Sequence, residues 1–307
     1  MSLDKKWDVI TAGDLFIDLI LTGFPSLPGL GEEGFAASCG RETGGGAANT
    51  ACAMAKLTSQ AALFGVVGAD EIEWFRGRFS ERGVDAGMLV AHRAMPSAIT
   101  VAVSTPTDRI FYTYYGPNVL LPDLLRRPET REHFATARHV HFAMPCEPAI
   151  LGELGCWLRE RGTTTSIDVG WQETWLDDPR SREALSHIDW FLPNEREAER
   201  MTGESDPERM LQWFRGRCPC GVAIKLGPQG SAALVEGRFR MVPSIPVTPL
   251  DTTGAGDCFD AGFLHGILSG APVERALRWG NICGALSTEA AGGIAGSPTL
   301  ERVLAAS

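Results

Sequence analysis

The sequence predicts an α/β protein with a mostly parallel central sheet covered by helices on both faces. Short aliphatic and β-branched runs alternate with stretches of helical period along most of its 307 residues. A hydrophobic fraction of 44% beside 21% charged residues suits a globular chain with a sizeable core. Late in the chain, the small-residue loop Gly254-Ala255-Gly256 runs into a helix with one apolar face, made by Phe259, Gly262, Phe263, Gly266 and Ile267.

In order, Val9–Ala12 reads as a strand, Ala47–Leu57 as a helix, Ala62–Val67 as a strand and Glu71–Arg82 as a helix. The strand His139–Ala143 is followed by the helix Ala149–Arg161, and the strands Thr164–Val169 and Trp190–Pro193 by the helices Glu195–Met201 and Pro207–Arg217. The strands Val222–Leu226 and Ala232–Val235 precede two closing helices, Asp257–Leu268 and Val273–Glu289. In such sheets ligands bind beyond the carboxyl ends of the strands.

Two stretches break the alternation. Residues 15–40 are rich in Gly and Pro and show strand-like pieces without a helical period. Ala98–Ser104 and Arg109–Tyr115 read as a hairpin around Thr105-Pro-Thr-Asp108. Segments 15–40 and 96–118 are therefore expected to form a small discontinuous β-sheet lid. Segments 1–14, 41–95 and 119–307 are expected to form the α/β body that binds nucleotide and substrate.

The formal net charge of −10 argues against a nucleic-acid or anionic-membrane partner. No run approaches the ~20 apolar residues of a membrane span, and the first residues, Met1 to Asp8, hold no apolar signal region. Of eight cysteines, Cys52, Cys156, Cys258 and Cys283 sit among small apolar residues of expected helices and read as buried hydrophobes. Cys218-Pro-Cys220 lacks a second pair at zinc spacing. A reduced, cytoplasmic protein is expected.

The chemistry concentrates at residues 251 to 263. The Gly254-Ala255-Gly256 loop exposes backbone N–H groups at a helix N-terminus, where free donors and the helix dipole attract anions. Asp257 stands in the same first turn. A carboxylate satisfies the dipole but repels a phosphate. That pairing makes sense for a base that must touch a hydroxyl attacking the phosphate; a plain capped helix is the bland alternative. Gly44-Gly45-Gly46 precede a helix of small residues, either as a tight turn or as a floor that sugar hydroxyls approach, with the Asn49 amide on its first turn. Asp14 and Asp18 follow the first strand, as solvated acids or as acceptors for a vicinal diol. Asn194 suits the cap of the helix holding Glu197. Lys225-Leu-Gly227-Pro-Gln-Gly230 reads locally as a hairpin turn. No G-x-x-x-x-G-K-[ST] loop occurs, and no G-x-G-x-x-G follows a strand, which disfavours P-loop and dinucleotide enzymes.

Four stretches together resemble the ribokinase-like (PfkB) carbohydrate kinases. Asp251-Thr-Thr-Gly-Ala-Gly-Asp257 is similar to the family's C-terminal signature, and Gly44 to Leu57 to its N-terminal one. Asn194-Glu-Arg-Glu197 resembles its N-x-x-E motif, and Lys225 to Gly230 its K-x-G-x-x-G turn. The resemblance implies a three-layer α/β/α ribokinase-like fold with a β lid, which in many members forms a dimer contact. It implies ATP and Mg²⁺, with Asp257 as base and Gly254, Ala255 and Gly256 as anion hole. It places Asp14, Asp18, Gly44, Gly45, Gly46 and Asn49 at the sugar. Asn194, Lys225, Gly227, Gly230 and Asn281 fall in the ATP site, and Glu197 near Mg²⁺ through water. Asp251 and Thr253, with backbone near 290–293 and Ser297, fall where many relatives bind K⁺.

The pattern departs in two places. No sugar-binding carboxylate stands near Met144, with Glu147 lying further on, and Gln172 stands where relatives acting on keto-deoxy acids often show Arg. Both departures weigh against ribose and 2-keto-3-deoxygluconate. His139 and His141 share a strand face, which suits packing more than a metal. The expected function is an ATP-dependent kinase acting on a primary hydroxyl of a sugar or sugar derivative, with nucleoside phosphorylation or non-catalytic sugar binding as alternatives. An ordinary Asp pKa near 3.9 predicts that Asp257 is fully ionised at neutral pH.

Overall fold

The computed structural model describes residues 5–105 and 109–307. Thirteen strands occur among the described residues. They are β1 (Trp7–Gly13), β2 (Phe16–Thr22), β3 (Ser38–Gly44), β4 (Ala61–Gly68), β5 (Val84–His92), β6 (Ile99–Ser104), β7 (Arg109–Tyr114) and β8 (Ala137–Ala143). The rest are β9 (Thr164–Ile167), β10 (Trp190–Phe191), β11 (Gly221–Lys225), β12 (Ser231–Val235) and β13 (Arg238–Val242). Nine of them build the central sheet in the order β13-β12-β11-β10-β9-β8-β1-β4-β5. The seven strands from β11 to β5 pair in parallel, and β12 and β13 close the far edge as antiparallel strands.

Each face of this sheet carries its own core. Ile10, Phe64, Phe142 and Phe191 pack on one side with Phe134 and Leu154. Val9, Leu192 and Ala223 pack on the other with Met54 and Phe263. The glycines within the apolar face of the helix Ala255–Leu268 are contact points. A Cβ on Gly262 would stand 2.6 Å from the Trp279 carbonyl oxygen, and one on Gly266 2.8 Å from Ala276 Cα. Those positions let the helix lie directly on its neighbour, Val273–Ser287.

Two strands escaped the sequence reading. In β5 the register against β4 shifts between Ala62 and Phe64, and this bulge breaks the period of two. β13 is an edge strand whose Arg238 and Arg240 face solvent. Short helices such as Leu121–Leu125 and Pro179–Ala184 are too brief to show a period.

The second sheet has the order β3-β2-β6-β7. Here β3 continues to Gly44, which pairs with Phe16, so the small sheet reaches four residues past the boundary expected at 40. Residues 106–108 of the expected hairpin turn lie outside the described residues. The outer strand β3 is tied to the helix Ile72–Ser80. Arg41 stacks over the Trp74 ring at 4.2 Å. Glu42 accepts from Arg78 at 2.6 and 2.8 Å and from Arg82 at 2.6 Å. Arg82 also donates to Thr43 Oγ1 at 3.1 Å. Beneath the crossing between sheets, the buried Asn118 accepts from Leu15 N and donates to Leu15 O, replacing ladder bonds that the crossing interrupts.

Candidate active site

Two helix N-termini meet the carboxyl edge of β1, β8 and β11. The helix Gly46–Lys56 starts there, and so does Ala255–Leu268. Gly45 has φ 102°, and an added Cβ would stand 2.1 Å from the Asp14 carbonyl oxygen. Only glycine fits that backbone. A Cβ on Gly44 would stand 2.1 Å from Asp18 Oδ2, and one on Gly46 3.2 Å from Asp257 Oδ1. The three glycines thus open a floor between the Asp18 and Asp257 carboxylates and the Asp14 backbone carbonyl.

Asp257 lies in the first turn of its helix, beneath this floor. Its Oδ2 accepts a 2.7 Å hydrogen bond from Asn49 Nδ2. Its pKa departs from that of an ordinary Asp, although the group stays mostly ionised at neutral pH. Burial first, then the nearby Asp168, raises the Asp257 pKa to about 6, against the opposing pull of Asn49 and Lys225. Asp14 is likewise pushed to about 6 by burial, although Tyr115 donates to both its oxygens at 2.7 Å. Asp18 also rises to about 6, from burial and from Glu42 directly across the ladder. Among the described residues no cation stands against Asp14 or Asp18, so both carboxylates face the floor with acceptor capacity to spare.

Beside the floor lies a cleft of about 580 Å³, lined in part by Lys225, Gly227, Gly230, Ala255, Gly256 and Asn281. The two sides share the N-terminus of the helix Ala255–Leu268. Gly254, with φ 73°, turns the chain into it. A Cβ on Gly254 would stand 2.6 Å from Gly293 Cα, and one on Gly293 2.7 Å from Asn49 Nδ2. The loop at 292–297 therefore backs both the anion-hole turn and Asn49. Asp251 joins these loops, accepting from Thr253 N and Oγ1 and from Gly292 N. Lys56 holds the loop from behind through the carbonyls of Ile294, Ala295 and Ser297, at 3.2, 3.2 and 2.9 Å.

Lys225 lines the cleft, but its ammonium is committed to an ion-pair cluster. It donates to Asp168 Oδ2 at 2.6 Å and to Asp260 Oδ1 at 3.2 Å. Burial alone would lower its pKa; the two carboxylates override that and raise it. The ammonium sits about one side-chain atom below Gly256, 3.5 Å from where a Cβ would be. Asn194 and Glu197 form a capping box: Asn194 Oδ1 accepts from Glu197 N, and the Glu197 carboxylate accepts from Asn194 N and Nδ2. Burial, then Asp168, raises Glu197 to about 7, opposed by Lys225. Asn281 donates to the carbonyls of Val242 and Pro243 at the cleft wall.

Sequence reasoning missed several members. Asp168 and Asp260 read as a strand end and a helix residue, and only the fold brings their oxygens within 4.8 Å of Asp257. In the sequence, Tyr115 reads only as part of the expected hairpin, and Lys56 lies inside the Gly44 to Leu57 stretch with no role of its own. Asp260 alone offered a signal, a charge on the apolar side of its helix. Glu147 pairs with Arg126, and the exposed Gln172 precedes the short helix Glu173–Asp177 without a side-chain capping bond. The two buried histidines bond to Thr164 and Ser166 rather than to a metal-type cluster.

The model of the pfkB family of carbohydrate kinases matches residues 8–300. The 2-dehydro-3-deoxygluconokinase of Bacillus subtilis (strain 168) is 29% identical over 281 residues, covering 84% of each chain. The ATP-dependent ribose-1-phosphate kinase of Halopiger xanaduensis is 31% identical over 300 residues, covering 97% of each. The solved ribokinase of Arabidopsis thaliana, complexed with ribose and ATP, superposes with a TM-score of 0.84 at 24% identity, over 97% of this chain and 98% of that one. The chain belongs to the pfkB family of carbohydrate kinases and is a phosphotransferase with an alcohol acceptor.

Proposed function

We propose that the protein transfers the γ-phosphoryl group of ATP to a primary hydroxyl of a sugar or sugar derivative bound on the Gly44-Gly45-Gly46 floor. One observation carries this reading: the Asp257 carboxylate and the first turn of its helix, with the N–H groups of Gly256 and Asp257, stand where the floor meets the cleft, whereas the expected third donor, Ala255 N–H, is already bonded to the Thr252 carbonyl at 3.2 Å. The substrate hydroxyl oxygen bonds to the γ-phosphorus as the bond from that phosphorus to the β,γ-bridging oxygen breaks, and the hydroxyl proton passes to Asp257. The amides receive the charge on the transferred group, which is where phosphoryl transfer gains most of its rate. Asp14, Asp18 and Asn49 accept and donate to the sugar hydroxyls.

ATP lies in the cleft along Gly227, Gly230 and Asn281, with Lys225 below its phosphates. Mg²⁺ neutralises phosphate charge when bound. Glu197 fits a water-mediated role there, because both its oxygens already serve the capping box and Mg²⁺ retains several waters. Asp251 and Thr253 beside Gly292 suit a monovalent cation. Equal activity with K⁺ exchanged for a bulky organic cation removes that part of the reading. The lid carries half-exposed Phe111, Tyr112 and Tyr114 on its outer strand, which fits a homodimer through the lid. Sedimentation as a monomer at assay concentration eliminates it.

The decisive experiment measures ATP consumption over a panel of pentoses, hexoses, sugar acids, sugar phosphates and nucleosides. Saturable turnover with a sugar-type substrate is expected. Turnover confined to nucleosides selects the nucleoside kinase alternative, and none at all removes the catalytic reading.

A further inference from the structure

Behind Asp257 runs a polar ladder, with Thr164 at its exposed end and His139, His141 and Ser166 buried, that the reaction above leaves unused. His139 and His141 on β8 stand in register with Thr164 and Ser166 on β9. The Thr164 hydroxyl donates to the Arg138 carbonyl at 3.2 Å. Its oxygen can therefore only accept from His139 Nδ1, 2.8 Å away. His139 Nε2 is then a bare acceptor, and Ser166 Oγ donates to it at 2.7 Å. Having spent its one proton, Ser166 accepts from His141 Nδ1 at 2.8 Å. Assigned from the network in this way, His141 Nε2 is left as a lone pair. It is buried and has no hydrogen-bond partner among the described residues. The acid oxygen facing it is Asp260 Oδ2, at 3.9 Å.

An ionised carboxylate is repelled by a lone pair, whereas a protonated one is drawn to it as a donor. Asp260 is fully buried. Around it stand Lys225 from β11, Asp168 from the segment after β9, His141 from β8 and Asp257 on its own helix. Glu197 adds a further carboxyl to the surroundings of Lys225. One ammonium does not balance three ionised aspartates in so dry a space.

Resting on the reading of Asp257 as base, we propose that the ladder from Thr164 to His141 fixes Asp260 as a neutral carboxylic acid. Lys225 is then matched to Asp168 alone, and Asp257 is the one ionised aspartate left to meet the substrate hydroxyl. Asp260 is a positioning residue: it acts through the charge balance at Lys225 without touching substrate. The electrostatics run the same way. Burial drives Asp260 well above its ordinary range, and Asp168 falls to about 2 because Lys225 overrides its burial. Burial holds His139 and His141 neutral, at about 3 and about 4.

The test that needs no turnover is long-range ¹H–¹⁵N correlation on the full chain labelled at histidine nitrogens, between pH 5.5 and 8, with His139→Asn for assignment. Both rings are expected neutral and protonated at Nδ1. A proton on Nε2 of His141, or a cationic ring, overturns the proposal. The second test compares acid limbs of kcat/KM. Asp168→Asn removes a charge and moves the limb down by about one pH unit or more. Asp260→Asn, which removes none, moves it by less than a third of that; an equal shift overturns the proposal. Because the labelling experiment reads the same whatever the substrate panel shows, failure of the kinase reading and failure of this one are distinguishable.

Discussion

Asn49 and Asp257 stand 208 positions apart in sequence and are joined by a 2.7 Å hydrogen bond. The amide carries two duties at once. It holds the carboxylate toward the glycine floor, and it keeps that carboxylate more acidic than its burial alone would allow. Asn49→Leu removes both. We expect its acid limb of kcat/KM to move up by about one pH unit, with KM for the sugar rising as well. A limb that stays in place under Asn49→Leu refutes the tuning role.

The wild-type acid limb is itself informative. Asp257 acts as base only when ionised, and its pKa is raised to about 6. Turnover is therefore expected to be flat above pH 7 and to fall tenfold per unit well below pH 6. A profile still flat at pH 5 contradicts the burial described above.

Asp257→Asn keeps shape and the Asn49 neighbourhood but cannot take a proton. A loss of at least about 10²-fold in kcat is expected, with little change in melting temperature. Near-normal turnover in this variant would falsify the assignment of the base.

Gly45→Ala places a methyl 2.1 Å from the Asp14 carbonyl oxygen at a backbone φ of 102°. We expect a stability loss of about 1–3 kcal/mol, typical of a residue forced into a strained conformation. Chemical denaturation measures it. Unchanged stability means the floor is more pliable than its packing indicates.

Lys225→Met leaves the Asp168 carboxylate buried without its counter-charge. Breaking one partner of a buried pair costs about 3–5 kcal/mol. The double variant Lys225→Met/Asp168→Asn is expected to recover part of that loss in urea unfolding. If the double variant is no more stable than the single one, Asp168 is not the partner that matters.

The sheet, the main helices and the signature loops were legible in the chain because each rests on local pattern. The turn 254–256 and the glycines at 44–46 could be placed from residue type alone. What could not be read is what long-range closure creates. Asp168 and Asp260 look unrelated until β9, β11 and a helix 35 residues past Lys225 meet. The raised pKa of Asp257 is a property of that meeting and not of its motif. β5 was lost to a bulge, and the lid boundary to a strand, β3, whose Glu42 and Arg41 carry no apolar alternation.

The seam along Arg41, Glu42 and Thr43 has a mechanical consequence. It rivets one margin of the small sheet to Trp74, Arg78 and Arg82, and toward the other margin Tyr115 donates to Asp14. With that margin clamped, the place of the small sheet over the sugar floor is set by these charged contacts, and the Tyr115 phenol holds Asp14 within the same frame.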